Sequence, residues 1–283
     1  MRISIPKSVV RLQVAGVAIA LLVTIRTVSG QVTSTVYGDD FGRIGALTGS
    51  QPTVDPSGAV WTEHGTNSTD TLIQTNGTAA VFPSGVSAND GRPFTDGSAN
   101  NREPSLAFTA PADSVVTLSA DFTVTSGTGT YGGWLGMGFI DDSVSNPGIF
   151  GSAGPTMTLA MDGSVGALAS FLTGPTTVYS GNPGVGASDV NLEIVYDNTD
   201  PNDITSSFFV NGSGIGTYSY GSTAVPFDEV FLRSYLLGGG TVQDFSLTVT
   251  SPVPDYYSSA VLLLIGMGSL VILPLSRPIF RMR

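Results

Sequence analysis

The stretch VTLSADFTVT constrains the fold of this chain more than any other segment. Its residues alternate strictly, so that apolar side chains share one side of an extended backbone and polar side chains share the other. The apolar side consists of Val116, Leu118, Ala120, Phe122 and Val124. A repeat of this kind is the signature of a β-strand with one face in a core and one face in water. The stretch therefore predicts a long strand in an antiparallel sheet.

Other segments repeat this alternation between frequent Gly and Pro residues. They are GWLGMGFID, NLEIVYD, SSFFVNGSGIGTYSY, VFLRSYLL and FSLTVT. Turns are expected at residues 198–203 and at Asn211-Gly212, and the polar residues 84–103 are predicted to form long surface loops. No stretch between residues 31 and 250 keeps a helical period for ten residues. Many short strands separated by turn signals predict an all-β sandwich or barrel.

Both ends of the chain have the pattern of targeting segments. Basic residues precede the apolar run 14–25, which is too short to span about 30 Å of hydrocarbon comfortably, and small residues precede Gln31. Residues 1–30 are therefore predicted to be a signal peptide, with an uncleaved anchor as the alternative. Residues 258–275 carry no charge and predict a transmembrane helix. The arginines that follow it place the extreme C-terminus in the cytoplasm and the bulk of the chain outside.

Composition narrows the function of the remaining residues 31–250, which are predicted to form one β-sandwich domain. The chain holds 22 Asp and Glu against 11 Lys and Arg, and most of the basic residues lie in the terminal segments. Phosphate binding needs clustered basic side chains, so nucleic acid is not an expected partner. Cysteine is absent from the sequence, which excludes disulfides, thiolate metal sites and cysteine nucleophiles.

A family resemblance rests on four segments of this region. DDFGRIGALTGSQPTVDPSGAVWTEHG, WLGMGFIDD, LEIVYDN and FFVNG resemble the concanavalin A-like (laminin-G-like) jelly roll of bacterial exported proteins, over roughly residues 39–250. The resemblance implies two packed antiparallel sheets in which the N- and C-terminal strands are adjacent. The strand pattern by itself leaves a jelly roll and an immunoglobulin-like sandwich equally open.

The C-terminal segment resembles the PEP-CTERM sorting signal in its Val-Pro-Asp variant. The matching residues are Val253, Pro254, Asp255, Arg277, Arg281 and Arg283. The family implies recognition by an exosortase-type processing enzyme, cleavage near the motif, and release to the cell surface or extracellular matrix, often alongside exopolysaccharide. Tyr256 departs from the pattern, because the family has a second proline there. A removable sorting signal is the prediction, and a retained membrane anchor is the alternative.

The sequence offers little support for catalysis. Glucanase-type jelly rolls carry acidic residues at alternate strand positions, and the nearest match places Glu193 and Asp197 around Val195. Four residues of strand separate these two carboxylates by about 13 Å, whereas glycoside hydrolysis needs about 5 to 9.5 Å. His64 is the sole histidine, and metal sites and catalytic triads usually need further partners. No catalytic residue is assigned.

One turn is a candidate calcium site, because calcium prefers clustered oxygen ligands. Its carboxylates are Asp197, Asp200 and Asp203, and the alternative is that they cap the turn by binding its own backbone. No other cofactor is expected.

One strand face is a candidate ligand platform. Trp134 shares a strand face with Gly136 and Gly138, which would leave an aromatic ring beside side-chain-free backbone. The alternative role of these residues is close sheet packing.

The function predicted from all of this is an exported, non-catalytic β-sandwich that binds or associates with exopolysaccharide. Two alternatives remain at this point. One is a glycan-active enzyme on the same fold, and the other is a purely structural or adhesive coat protein.

Overall fold

The computed structural model describes residues 30–63, 73–83, 104–126, 133–141, 154–171, 174–235 and 238–252. The chain divides into two units, Thr33–Ser251 on the one hand and Met1–Val32 with Pro252–Arg283 on the other. Nearly all described residues belong to Thr33–Ser251. The predicted loop 84–103, His64, the signal peptide and the C-terminal sorting segment lie outside the described residues. No helix long and apolar enough to cross a membrane occurs in the part of the chain that the structure describes.

The described residues form 16 strands and no helix. In chain order they are β1 (Gln31–Asp39), β2 (Ile44–Ala46), β3 (Thr62–Glu63), β4 (Gln74–Asn76), β5 (Ala80–Phe82), β6 (Pro104–Ala107), β7 (Val115–Ser126), β8 (Trp134–Ile140), β9 (Pro155–Ala160), β10 (Val165–Phe171), β11 (Gly174–Gly181), β12 (Val190–Asp197), β13 (Ile204–Val210), β14 (Ser213–Gly221), β15 (Glu229–Tyr235) and β16 (Gly239–Pro252). The all-β prediction is confirmed.

These strands form two sheets. The nine-stranded sheet has the order β14-β13-β12-β7-β16-β5-β4-β2, with β1 paired to β16 as well. The seven-stranded sheet has the order β11-β10-β9-β8-β15-β6-β3. Neighbouring strands along both orders are antiparallel. Strands that follow one another in the chain, such as β7 and β8, often belong to different sheets, as in a jelly roll.

The first and last strands are adjacent, as the concanavalin A-like resemblance implies. β1 pairs with β16, and the hydroxyls of Thr33 and Thr250 are hydrogen bonded at 2.7 Å. This pairing of the first strand with the last is the feature by which the structure agrees with the concanavalin A-like jelly roll.

The core lies between the two sheets and is built by the alternation that the sequence shows. In β7 the residues 116, 118, 120, 122 and 124 are buried and the residues between them are half-buried. The seven-stranded sheet supplies the opposite wall, which includes Leu135, Met137, Leu159 and Leu232. Aromatic rings join the two walls, because Phe227 lies 4.6 Å from Phe139 and 5.1 Å from Tyr196 between ring centroids. Each sheet therefore turns one face inward and leaves one outer face.

Candidate functional site

The outer face of the seven-stranded sheet contains the tryptophan that the sequence singles out. We call its centre the Trp134 face, which consists of Trp134, Gly136, Gly138, Ile140, Thr156, Thr158, Phe231 and Arg233. The strand register brings these residues together, because Arg233 pairs with Gly136 and Phe231 pairs with Gly138. Gly136 also pairs with Thr158 on the other side. β8 thus forms the middle of the face, between β9 and β15.

Most of the Trp134 face is withdrawn from water although it points away from the core. Ile140, Phe231 and Arg233 expose only 3%, 0% and 2% of their surface. The Arg233 guanidinium lies 4.8 Å from the centroid of the Phe231 ring, within the range of a cation–π contact. Burial lowers the pKa of Arg233 to about 10, because the charged form loses solvation. An outer sheet face normally carries hydrated polar side chains, so this one is unusual.

The two glycines on this face are required by the packing of strands. A Cβ atom at Gly136 would lie 2.4 Å from the carbonyl oxygen of Met157, and one at Gly138 would lie 2.6 Å from that of Pro155. Both contacts are with backbone, so no side-chain rotation relieves them. Trp134, Gly136 and Gly138 do share one strand face, but the glycines are buried and only Trp134 is half-buried. The close strand packing that was weighed as an alternative therefore accounts for the glycines.

The outer face of the nine-stranded sheet has a different character. We call its centre the Glu193 face, which consists of Thr117, Ser119, Asp121, Asn191, Glu193, Val195, Ser207 and Phe209. All eight residues are half-buried, and they alternate along each strand with fully buried core residues. Asn191 donates a hydrogen bond of 2.7 Å from Nδ2 to Asp121 Oδ1. Most side chains of this face are polar and short, and all of them are partly in contact with water.

The glucanase-like pair lies on or beside this second face. Glu193 and Asp197 both project outward from β12 with Val195 between them, as the alternation predicts. Asp197 is already engaged, because its Oδ1 accepts hydrogen bonds from the backbone N–H of Thr199 at 2.9 Å and from the Thr199 hydroxyl at 2.6 Å. The two carboxylates therefore have different environments as well as different positions along the strand.

The predicted calcium ligands accept hydrogen bonds from their own turn and from β14. Asp200 Oδ1 accepts from the N–H of Asn202 at 2.8 Å, and Asp203 Oδ1 accepts from the Ser219 hydroxyl at 2.6 Å. Together with Asp197, each carboxylate is directed to a different local donor, as in turns capped by Asp and Asn. Among the described residues, no three His, Cys, Asp or Glu side chains form a group that could hold a metal ion. The structure does not bring Asp197, Asp200 and Asp203 together as a cation site.

A buried polar network near the first strand was missed at the level of sequence. Asp39 is 2% exposed, and its carboxylate accepts hydrogen bonds from Arg43 at 2.7 and 2.8 Å and from the Trp61 indole N–H at 2.8 Å. It also accepts from the N–H of Phe41, whose backbone φ of 53° is uncommon for an aromatic residue. A buried indole N–H needs an acceptor, and that requirement was the available signal. The network fastens the loop after β1 to the core.

Asp40, the next residue, faces solvent and also stabilises this loop. The hydroxyl of Thr53 and the N–H of Gly42 both donate hydrogen bonds to its carboxylate, at 2.6 and 3.0 Å. These hydrogen bonds hold the pKa of Asp40 below its ordinary value, with the Thr53 hydroxyl having the larger effect.

Comparison with known proteins shows likeness in structure alone. No protein-family model and no curated protein matches the chain. One similar structure comes from work on endo-acting O-glycanases with which members of the human gut microbiota initiate mucin breakdown. Its TM-score is 0.51 at 9% identity, over 78% of this chain and all (100%) of that one.

Two further similar structures have lower scores. The carbohydrate recognition domain of Emp47p has a TM-score of 0.46 at 14% identity, over 78% of this chain and 97% of that one. A prokaryotic β-1,3-1,4-glucanase from a mouse hindgut metagenome has a TM-score of 0.46 at 11% identity, over 78% of this chain and 100% of that one. Of these three structures, the one with the TM-score of 0.51 supports a likeness of fold, and of fold alone, at 9% identity.

Proposed function

We propose that this protein is an exported, non-catalytic jelly roll that binds polysaccharide through the Trp134 face. The observation that carries the proposal is a half-buried tryptophan on an outer sheet face, with the half-buried Thr158 on the neighbouring strand. A sugar ring offers one apolar face and a rim of hydroxyls. An aromatic side chain matches the apolar face, and a few fixed polar groups match the rim.

Each residue of the face has a part in this binding. Trp134, at the start of β8, supplies the stacking surface, and Thr158 on the neighbouring strand supplies a hydroxyl. Arg233 is buried against the Phe231 ring and helps to fix β15 beside β8, without contacting the ligand itself. Gly136 and Gly138 keep β8 close to β9, so the backbone beneath the ligand is firmly set.

The non-catalytic part of the proposal rests on the acidic residues. Glu193 and Asp197 are the pair that best resembles a glucanase motif, and their spacing of about 13 Å along a strand exceeds that of either hydrolytic mechanism. They also lie on β12 of the nine-stranded sheet, whereas Trp134 lies on β8 of the seven-stranded sheet. A glycan stacked on Trp134 would therefore be bound by the sheet that does not contain this pair.

Export and sorting complete the proposal. The signal peptide 1–30, the motif Val253-Pro254-Asp255 and the apolar span 258–275 with its arginines support delivery outside the cytoplasm, processing by an exosortase-type enzyme and release to the cell surface or matrix. The C-terminal peptide of the mature protein, identified by mass spectrometry, tests this directly. A peptide that ends near residue 255 supports sorting, and mature protein that retains Arg283 contradicts it.

A glycan-binding screen with the full chain tests the binding function. Trp134→Ala is expected to weaken binding to the preferred polysaccharide by about tenfold, since stacking of aromatic groups is worth about 0.5–1.5 kcal/mol beyond the area that it buries. Ile44→Ala is the matched control, because Ile44 is an apolar side chain with 86% exposure on β2 of the other sheet. Its binding is expected to equal that of the unmodified protein.

Two outcomes of the same screen contradict the proposal. Release of oligosaccharides from any polysaccharide identifies a glycan-active enzyme. Folded protein that binds no glycan identifies a structural coat protein instead.

A further inference from the structure

The Glu193 face holds a carboxylate that has no hydrogen-bonding or ionic partner among the described residues. Glu193 is half-buried in the middle of the nine-stranded sheet, with Ser119 opposite on β7 and Phe209 opposite on β13. Within the described part of the chain, the side chain of Glu193 makes no hydrogen bond and no ion pair. By contrast, Asp197 on the same strand is bound by Thr199. A partly desolvated carboxylate without a partner is a favourable place for a cation.

An aromatic ring stands next to that carboxylate. Phe209 and Glu193 are directly paired across β13 and β12, so their Cβ atoms lie about 4.5–5.5 Å apart on the same face. The Phe209 ring lies against Gly214, whose Cβ position would be 3.6 Å from Cε1 of the ring. Gly214 belongs to β14, so the ring leans to the side of β13 that is remote from Glu193. An ammonium group above β13 can lie between the ring on one side and the Glu193 carboxylate on the other, and both contacts are favourable.

The charge of the surroundings favours the same kind of ligand. A second carboxylate, Asp121, lies one row further along the face, where Asn191 orients it. The only Lys or Arg residues in the described part of the chain are Arg43 and Arg233. Arg43 is bound to the buried Asp39, and Arg233 is buried on the other sheet. No basic side chain among the described residues neutralises the Glu193 face.

The remaining residues of the face suit a sugar polymer better than a polypeptide. Thr117, Ser119 and Ser207 present hydroxyls around Glu193, and Val195 and Phe209 are the sole apolar members of the face as defined above. A protein–protein interface needs an apolar centre that excludes water. A glycan needs hydrogen-bonding groups at short intervals and an aromatic surface, and both are present.

We propose that the Glu193 face binds a polysaccharide that carries free amino groups, with an ammonium held between Glu193 and the Phe209 ring. This inference takes from the proposed function only that the ligand is a polysaccharide. It assigns a second surface, on the sheet opposite to Trp134, and it names the charge of the polymer. A polyanionic glycan is disfavoured at this face by Glu193 and Asp121.

The test measures binding of the full chain to immobilised chitosan and to its fully N-acetylated counterpart, which has the same backbone without the ammonium groups. Binding to chitosan alone is expected. Glu193→Gln is expected to weaken it about fivefold through the loss of a charge-assisted contact. Phe209→Leu keeps an apolar side chain and is expected to weaken it about threefold. Binding is also expected to fall as rising pH removes the protons of the polymer amines.

Asp113→Asn is the matched control for charge. Asp113 is an exposed residue outside the face, and its backbone φ of 53° is one that Asn adopts readily. This variant is expected to bind chitosan within about 1.5-fold of the unmodified protein, because a distant surface charge is largely screened. Thermal unfolding of each variant shows whether any loss of binding reflects loss of fold.

Several results overturn the inference. Equal binding to chitosan and to the N-acetylated polymer removes the role of the amine. Equal loss in Glu193→Gln and Asp113→Asn means diffuse attraction without a site. Binding of polylysine that depends on Glu193, without binding of chitosan, identifies a basic polypeptide as the ligand.

The inference and the proposed function fail in different ways. If a neutral polysaccharide binds through Trp134 while chitosan does not bind, this inference is wrong and the proposed function stands. If no glycan of any charge binds, both are wrong.

Discussion

The outer faces of the two sheets differ although the same alternation of residues produces both. On the Trp134 face, Ile140, Phe231 and Arg233 are almost fully buried. On the Glu193 face, every residue is half-buried and polar side chains predominate. The difference teaches that alternation decides which residues leave the core and does not decide whether they reach water. What lies over an outer face is settled by other parts of the chain.

The largest expected effect is on the free energy of unfolding, when a larger side chain is introduced on each of the two faces. Gly136→Val on the Trp134 face forces a Cβ into the backbone of β9, so we expect a loss of about 3 kcal/mol in the free energy of unfolding. Ser119→Val on the Glu193 face adds a similar side chain to an open strand surface, and we expect a change within about 0.5 kcal/mol. Urea denaturation of both variants measures the two changes. Equal tolerance at both positions would remove the contrast between the faces.

A smaller effect is expected from removing charge. Arg233→Met removes the contact with Phe231 and the other partner of Arg233, so we expect a loss of about 2 kcal/mol in the free energy of unfolding at neutral pH. Glu193→Gln, on the other face, is expected to change stability by less than about 0.5 kcal/mol. The same denaturation experiment measures both. A destabilised Glu193→Gln protein would mean that Glu193 has a structural partner.

The pH dependence of the Arg233→Met effect sharpens this result. The pKa of Arg233 is lowered by burial to about 10 in the folded protein, so above that pH the unfolded chain binds more protons than the folded one. The contribution of Arg233 to the free energy of unfolding then rises with pH. The unmodified protein therefore becomes more stable relative to the Arg233→Met variant. Tyr196 and Tyr220, whose pKa values burial raises, lose stability with rising pH in both proteins and cancel in the difference. A difference that stays flat from neutral pH to pH of about 11 contradicts the burial of an ionised Arg233.

The smallest expected effect concerns the turn at the end of the nine-stranded sheet. Removing divalent metal with a chelator is expected to leave the thermal unfolding midpoint unchanged, since Asp197, Asp200 and Asp203 bind donors of their own turn and of β14. Differential scanning calorimetry with and without calcium measures this. A midpoint that falls with chelator and is restored by calcium would show that the turn opens to bind the ion.

Strand prediction succeeded where the alternation of a strand is clear, and it missed β1, β6, β9, β10 and β11, although four of these have six residues or more. β7, β8, β12, β13, β14 and the second half of β16 all follow patterns visible in the sequence. The short strands β2 to β5 were not predicted, because two or three residues cannot establish a period. These strands exist because neighbouring strands offer hydrogen-bonding partners, as β16 does for β5.

In the candidate sites, too, local features were predicted and contacts between distant strands were not. The alternation correctly put Trp134, Gly136 and Gly138 on one face of a strand. It could not reveal that the carbonyls of Met157 and Pro155 fill the space beside the glycines, because β9 begins 15 residues after β8 ends. The Asp39 network was missed for a related reason, since Trp61 donates across 22 positions of sequence.

The sequence by itself determined that the described part of the chain is all-β and that the composition is acidic, and it determined which side chains of the predicted strands face the core. These properties are local, because they depend on residue type and on a repeat of two. The tertiary structure alone decided that Arg233 is buried while the Glu193 side chain has no partner among the described residues, and that three turn carboxylates bind separate donors. Those outcomes depend on which strands become neighbours, and pairing between strands far apart in the chain leaves no local trace in the sequence.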